Sequence, residues 1–178
     1  MAVRKIIRMG HPTLRKVASP VPDEMLGSAE LQLLLQDMVD TLHDYGGVGL
    51  AAPQVDESLR LAIIEIPEGP SRYGELQSMP LTVFINPVIT PVPGAEVAGF
   101  WEGCLSVPGL RGFVERPQHV KVDYLDEQGQ PQQLELTGFM ATVFQHEFDH
   151  LDGRLYVDHI KDMSKLSFED ELIRYSEP

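Results

Sequence analysis

Cysteine is nearly absent. The 178-residue chain has one, Cys104. A single cysteine cannot close an internal disulfide, so the fold does not depend on an oxidising compartment. Basic residues are scarce too: 14 Lys and Arg against 27 Asp and Glu give a formal charge of −13. Nucleic-acid affinity comes largely from clustered Lys and Arg, and anionic membranes attract the same residues, so neither DNA binding nor membrane adhesion is expected. Long apolar runs are missing; none approaches the ~20 residues that span a bilayer. The basic opening MAVRKIIRMGHPTLRK lacks the apolar stretch of a secretory signal. The remaining composition, 43% hydrophobic and 23% charged, is ordinary for a globular protein and excludes wholesale disorder. The chain therefore reads as one soluble, cytoplasmic domain over 1–178, with 161–178 a short acidic C-terminal segment.

Periodicity then orders the elements. Ser28 is a good N-cap, and Leu31, Leu34, Leu35, Met38, Val39 and Leu42 form one apolar stripe, so a helix is expected over 28–45, stopped by Gly46 and Gly47. LAIIEI (61–66) and LTVFIN (81–86) read as strands, with 67–80 a surface loop between them. AEVAGFW (95–101) and RGFVER (111–116) read as strands joined by a turn in VPGLRG. Val120, Val122 and Tyr124 alternate with polar residues, so 118–137 reads as a hairpin turning at Asp126–Gly129. GFMATVFQHEFDHLDG (138–153) reads as a second helix, and a short third one is expected to begin at Ser167. The class is α+β, a mixed or antiparallel sheet around the second helix.

That helix carries the chemistry. His146-Glu147-Phe148-Asp149-His150 is an H-E-x-x-H match. Residues four apart stack on one helix face, so both imidazoles can reach one metal ion, and Glu147 beside them can move a proton. The bland alternative is a pair of hydrogen-bonded core histidines. A catalytic metal site usually takes three protein ligands. A third histidine at 156 would make a metzincin, but position 156 is tyrosine. A downstream acid, Glu169 or Glu171, would make a thermolysin-like site. Cys104, in a loop-like WEGCLS context beside Gly103, is the other candidate, or else a small buried hydrophobe. The run Gly47–Gln54 has small residues that allow close backbone approach, and Gln54 offers an amide donor. It is no phosphate loop, because no Lys-Ser/Thr follows and no strand precedes it.

Taken together and in order, GVGLAAPQ (47–54), EGCLS (102–106) and QHEFDH (145–150) resemble the three marks of the peptide deformylases at every fixed position. The opening IIRMGHPTLR is similar to that family's first segment, which extends the likeness over roughly residues 5–160. The resemblance implies removal of the formyl group from the N-formylmethionine of nascent peptides, releasing formate. It implies one divalent metal ion, usually Fe2+, with Zn2+, Ni2+ or Co2+ as other occupants. The metal ligands it implies are Cys104, His146 and His150, with Glu147 as general acid/base. Gln54 and the backbone N–H of Leu105 are the implied oxyanion donors. Val48, Gly49, Phe139 and Val143 are placed around the methionine pocket and Arg111 at the edge of the peptide groove. Many relatives carry a longer C-terminal helix implicated in ribosome contact. The segment SFEDELIRYSEP is short, so at most transient ribosome contact is implied.

A metallopeptidase with a downstream acid and a non-catalytic metal-holding module are the competing readings. Metal analysis separates the first: Cys104→Ala should empty the site, whereas Glu169→Ala and Glu171→Ala should retain the ion. The opposite pattern would favour the metallopeptidase.

Overall fold

The computed structural model describes residues 2–68, 70–71, 74–75 and 77–175. In chain order the elements are α1 (Ala29–Tyr45), β1 (Gly49–Ala51), β2 (Leu61–Ile66), β3 (Pro70–Ser71), β4 (Gly74–Glu75), β5 (Met79–Pro91), β6 (Val97–Cys104), β7 (Val107–Pro117), β8 (His119–Leu125), β9 (Pro131–Thr137), α2 (Gly138–Asp149), β10 (Leu166–Phe168) and α3 (Glu169–Tyr175). The expected α+β class holds. One sheet runs β1-β2-β5-β8-β9, a second β10-β7-β6, and every ladder is antiparallel.

The larger sheet is covered on both faces, which explains why LAIIEI is apolar throughout. Leu61, Ile63, Val83 and Ile85 pack toward α1, with Leu31, Leu34, Met38 and Leu42. Ala62, Ile64, Phe84, Val120 and Val122 pack toward α2, with Ala141, Phe144 and Phe148. Phe84, Phe144 and Phe148 meet edge to face at 5.2–5.7 Å between ring centres. Such pairs add about 0.5–1.5 kcal/mol each beyond burial. This packing sets the height and rotation of α2, hence the direction in which its other face points.

The Ser28 side chain caps α1 through the Leu31 N–H, and Gly46, in the left-handed region at φ 69°, ends it. The hairpin β8–β9 turns where expected, with Asp126 Oδ1 accepting from the Gln128 and Gln130 N–H groups. Three expectations change. Residues 67–80 are not a plain loop: they hold the short β3–β4 hairpin and the start of β5, while 69, 72, 73 and 76 lie outside the described residues. The turn expected in VPGLRG falls instead at Leu105–Ser106. Cys104 pairs with Val107 and Glu102 with Gly112, so two steps on β6 face five on β7 and Pro108–Arg111 bulges outward. The third helix starts at Glu169, because Ser167 is taken up as a strand residue opposite Arg111. Residues 176–178 of the acidic segment lie outside the described residues. No helix among those described is long and apolar enough to cross a membrane.

The N-terminal segment, though not a strand, is tied into this frame. Ile7 N–H donates to the Gln54 carbonyl at 2.9 Å and Met9 N–H to the Ser106 carbonyl at 2.8 Å. Asp37 of α1 anchors it further, accepting from Ala2 N–H and from Arg4 Nε, both at 3.0 Å. Burial would raise the Asp37 pKa, but these donors outweigh it and hold it below 3.8. The stability it lends is therefore present above pH 3.8 and lost as pH falls through the lower folded value. Asp37→Asn should cost about 1–3 kcal/mol at pH 7. In thermal melts that deficit should narrow toward pH 3; an equal deficit at both pH values would show that the charge is not what matters.

Candidate active site and metal centre

The two sheets leave a cavity of about 860 Å³ between them. Its walls come from the N-terminal segment, the α1–β1 junction, the β6–β7 turn and α2. Cys104, His146 and His150 converge there, with their ligand atoms all within 4.8 Å of one another. Cys104 Sγ lies 3.4 Å from His150 Nε2. Tetrahedral bonds of about 2.0–2.3 Å would space two donors by about 3.5 Å, so the arrangement fits a metal ion held by one sulfur and two imidazoles. Neither Glu169 nor Glu171 joins the cluster: Glu169 pairs with Arg111 and Glu171 with Arg174. Tyr156, where a third histidine would stand, stacks on His146 at 5.9 Å between ring centres.

Two of the three donors are oriented by neighbours, while His150 Nδ1 is buried with no hydrogen-bond partner among the described residues. His146 Nδ1 is bonded to Glu102 Oε2 at 2.7 Å, which turns Nε2 toward the cavity. Glu102 is itself held by Arg116, Nε to Oε1 at 2.6 Å and Nη2 to Oε2 at 3.1 Å, and Arg116 Nη1 reaches Asp149 Oδ2 at 2.8 Å. Burial would raise the Glu102 carboxyl, but His146 and Arg116 keep it below the usual carboxylate range. Burial would likewise raise the Cys104 thiol. His150 and His146 overcome it and bring the thiol down to about 5, the thiolate being the form that binds metal. The Cys104 sulfur also accepts from the Ser106 N–H at 3.4 Å and from Gln54 Nε2 at 3.6 Å.

Gln54 is fully buried, and its orientation is fixed. Oε1 accepts the Ala51 N–H at 2.9 Å, so Nε2 points to Cys104 and Ser106, 3.2 Å from the Ser106 hydroxyl. Glu147 is buried beside the histidines. Burial raises its pKa, against the pull of His146 and His150, and its Oε2 has no hydrogen-bond partner among the described residues. Gly49 presses directly on it: a Cβ there would stand 2.6 Å from Glu147 Cδ. Leu105 lines the main cavity, and Val48, Phe139 and Val143 line a smaller pocket opening beside Glu147 and His146. Arg111 lies at the rim, its guanidinium so close over Gly103 that a Cβ on that glycine would meet Nη1 at 2.6 Å. Val48, Gly49, Gln54, Cys104, Leu105, Arg111, His146 and Glu147 thus border the main cavity, Phe139 and Val143 the smaller pocket beside it, and His150 joins through the metal-ligand cluster. Sequence reasoning missed Arg116 and gave Glu102 no role. The available signal was that a buried charge must find an opposite one.

Comparison with known proteins agrees with this geometry. The family model described as polypeptide deformylase matches residues 3–166. Peptide deformylase 2 of Pseudomonas syringae pv. tomato is 48% identical, the match covering 99% of this chain and 97% of the relative. A peptide deformylase of Leptospira biflexa is 38% identical over 97% and 96% of the two chains. The crystal structure of class I type b peptide deformylase from Acinetobacter baumannii, bound to Met-Ala-Ser, superposes with a TM-score of 0.84 at 40% identity, covering 89% of this chain and 99% of that one. A peptide deformylase from Synechococcus elongatus in complex with actinonin gives 0.79 at 33% identity, covering 100% and 88%. The chain belongs to the polypeptide deformylase family, the hydrolases that remove the N-formyl group from new polypeptides.

Proposed function

We propose that Cys104, His146 and His150 hold one divalent ion, Fe2+ in the native protein, and that Glu147 is the general acid/base of deformylation. The observation that carries this is the convergence of three donor atoms within 4.8 Å, beside a buried carboxylate, at the floor of a peptide-sized cavity. A thiolate–imidazole set also suits Zn2+, Ni2+ and Co2+. When bound, the ion would supply Lewis acidity, making water a stronger acid and polarising the formyl oxygen.

The chain's own residues supply the rest. Glu147 takes a proton from the attacking water and delivers it to the departing nitrogen, so formamide plus water becomes formate plus a free amine. Gln54 Nε2 and the Leu105 N–H donate to the oxyanion; one preorganised donor of this kind is worth about 3–4 kcal/mol. Gln54 suits that task because Ala51 fixes its rotamer. Gly49 lets a formamide approach Glu147 closely and leaves little room for a larger acyl group. Val48, Phe139 and Val143 take the methionine side chain, whose flexible thioether suits an apolar slot. The rest of the peptide lies extended along the cleft past Arg111, bound mainly through its main chain. The Met-Ala-Ser held by the Acinetobacter protein is a peptide with an unformylated methionine, as expected of a product. A nascent polypeptide as substrate supports a cytoplasmic location. The net charge of −13 makes its contact with the RNA-rich ribosome transient.

Anaerobically purified, metal-analysed protein should release formate from formyl-Met-Ala-Ser. Glu147→Ala should keep its metal yet lose about 10²–10⁴-fold in kcat. Wild-type turnover by that variant would leave only a metal-holding module. Gly49→Ala should displace Glu147 and lower kcat/KM about 100-fold with the fold intact, as seen by circular dichroism. Unchanged kinetics would show that the close approach at Gly49 is not used.

A further inference from the structure

One acidic residue at the cavity rim has no part in this account. Glu169 lies three residues beyond the family-matched region, which ends at 166. It is brought to the cleft by β10, which pairs along β7 with Ser167 opposite Arg111 and Phe168 opposite Leu110. Its Oε1 accepts from both Arg111 Nη2, at 2.6 Å, and Arg111 Nε, at 3.2 Å. The Arg111 side chain is 11% exposed and that of Glu169 41%. The guanidinium is thereby pinned flat over Gly103, next to Cys104.

Charge makes this placement matter. Lys5, Arg8 and Arg111 give the cavity lining its positive groups, and its carboxylates among the described residues are Glu147 and Glu169. Glu147 is buried at the reacting end, so Glu169 is the acid that offsets the basic rim. A partly exposed ion pair contributes little to fold stability. Its physical effect falls on the direction of Arg111 and on the potential felt by a peptide in the groove.

We propose that Glu169 is a positioning and specificity-determining residue for the formylated peptide. It holds Arg111 in its peptide-facing orientation and keeps the groove tolerant of both acidic and basic residues after the methionine. The proposal rests on the reading above that this cavity holds the peptide.

Steady-state kinetics on the metal-loaded protein tests it with formyl-Met-Ala-Ser, formyl-Met-Ala-Asp and formyl-Met-Ala-Lys. Glu169→Ala should raise KM for the neutral peptide about 3–10-fold, with kcat within about twofold and metal content unchanged. Glu169→Gln, which keeps an oxygen acceptor for Arg111, should restore the neutral KM. Both variants should raise the Asp-over-Lys ratio of kcat/KM about fivefold or more at low salt, and the shift should shrink at high salt. An unchanged ratio and KM in Glu169→Ala overturns the proposal. So does a loss shared equally by all three peptides and accompanied by a lower melting temperature, which marks a structural role. Calorimetric binding of Met-Ala-Asp and Met-Ala-Lys reads the same preference without turnover. An error in the assigned reaction would therefore show as absent formate release while this binding ratio still decides the role of Glu169.

Discussion

Glu102 is a carboxylate that the fold buries almost completely and then has to satisfy. It does so with two partners from different elements, Arg116 of β7 and His146 of α2. Removing one partner from such a buried pair costs about 3–5 kcal/mol, because an uncompensated charge is left behind. The arrangement therefore fixes the smaller sheet against α2 with little freedom, and Asp149 extends it by holding the far side of Arg116. The placement of His146 relative to Cys104 is set by this link. So is the choice of the His146 nitrogen that faces the cavity, since its Nδ1 is occupied by Glu102.

The rest of the molecule supports that link from two directions. Aromatic packing of Phe144 and Phe148 against Phe84 settles α2 on the larger sheet. On the opposite side, the N-terminal segment touches the site through backbone bonds to Gln54 and Ser106, and Asp37 secures its far end. Gln54 is thus held between the Ala51 N–H and a strap from the start of the chain. The oxyanion donor proposed for Gln54 would be useful only if it need not reorganise during the reaction, and both ends of its surroundings are tied.

Much of this was legible in the sequence. Helix α1, the β8–β9 hairpin and the face carrying Phe139, Val143, His146 and His150 follow from periodicity and turn residues, because their determinants are local. The ordered motifs named Cys104, His146 and His150, whose ligand atoms the fold brings within 4.8 Å of one another. Strand β1 was not legible, since its three small residues have no period and are fixed by pairing with β2. The bulge at Pro108–Arg111 was hidden for the opposite reason: its Pro and Gly look like a turn, yet Leu105 and Ser106 have already reversed the chain. Arg116 and Glu169 depend on pairings between distant residues. Single-sequence patterns carry no record of those.

Strand β10 has a consequence for the protein's life at high concentration. Any open strand edge is a template for another extended chain, and proteins that leave one long and flat invite aggregation. The larger sheet ends on one side in the three-residue β1 and on the other in β9, which begins with Pro131 and carries Gln132, Gln133 and Glu135. Strand β7 is eleven residues long and runs beside the cleft proposed to take an extended peptide. Leu166–Phe168 covers its edge at Leu110–Gly112. A protein that handles unfolded chain ends all day thereby closes part of the surface on which such chains would otherwise accumulate.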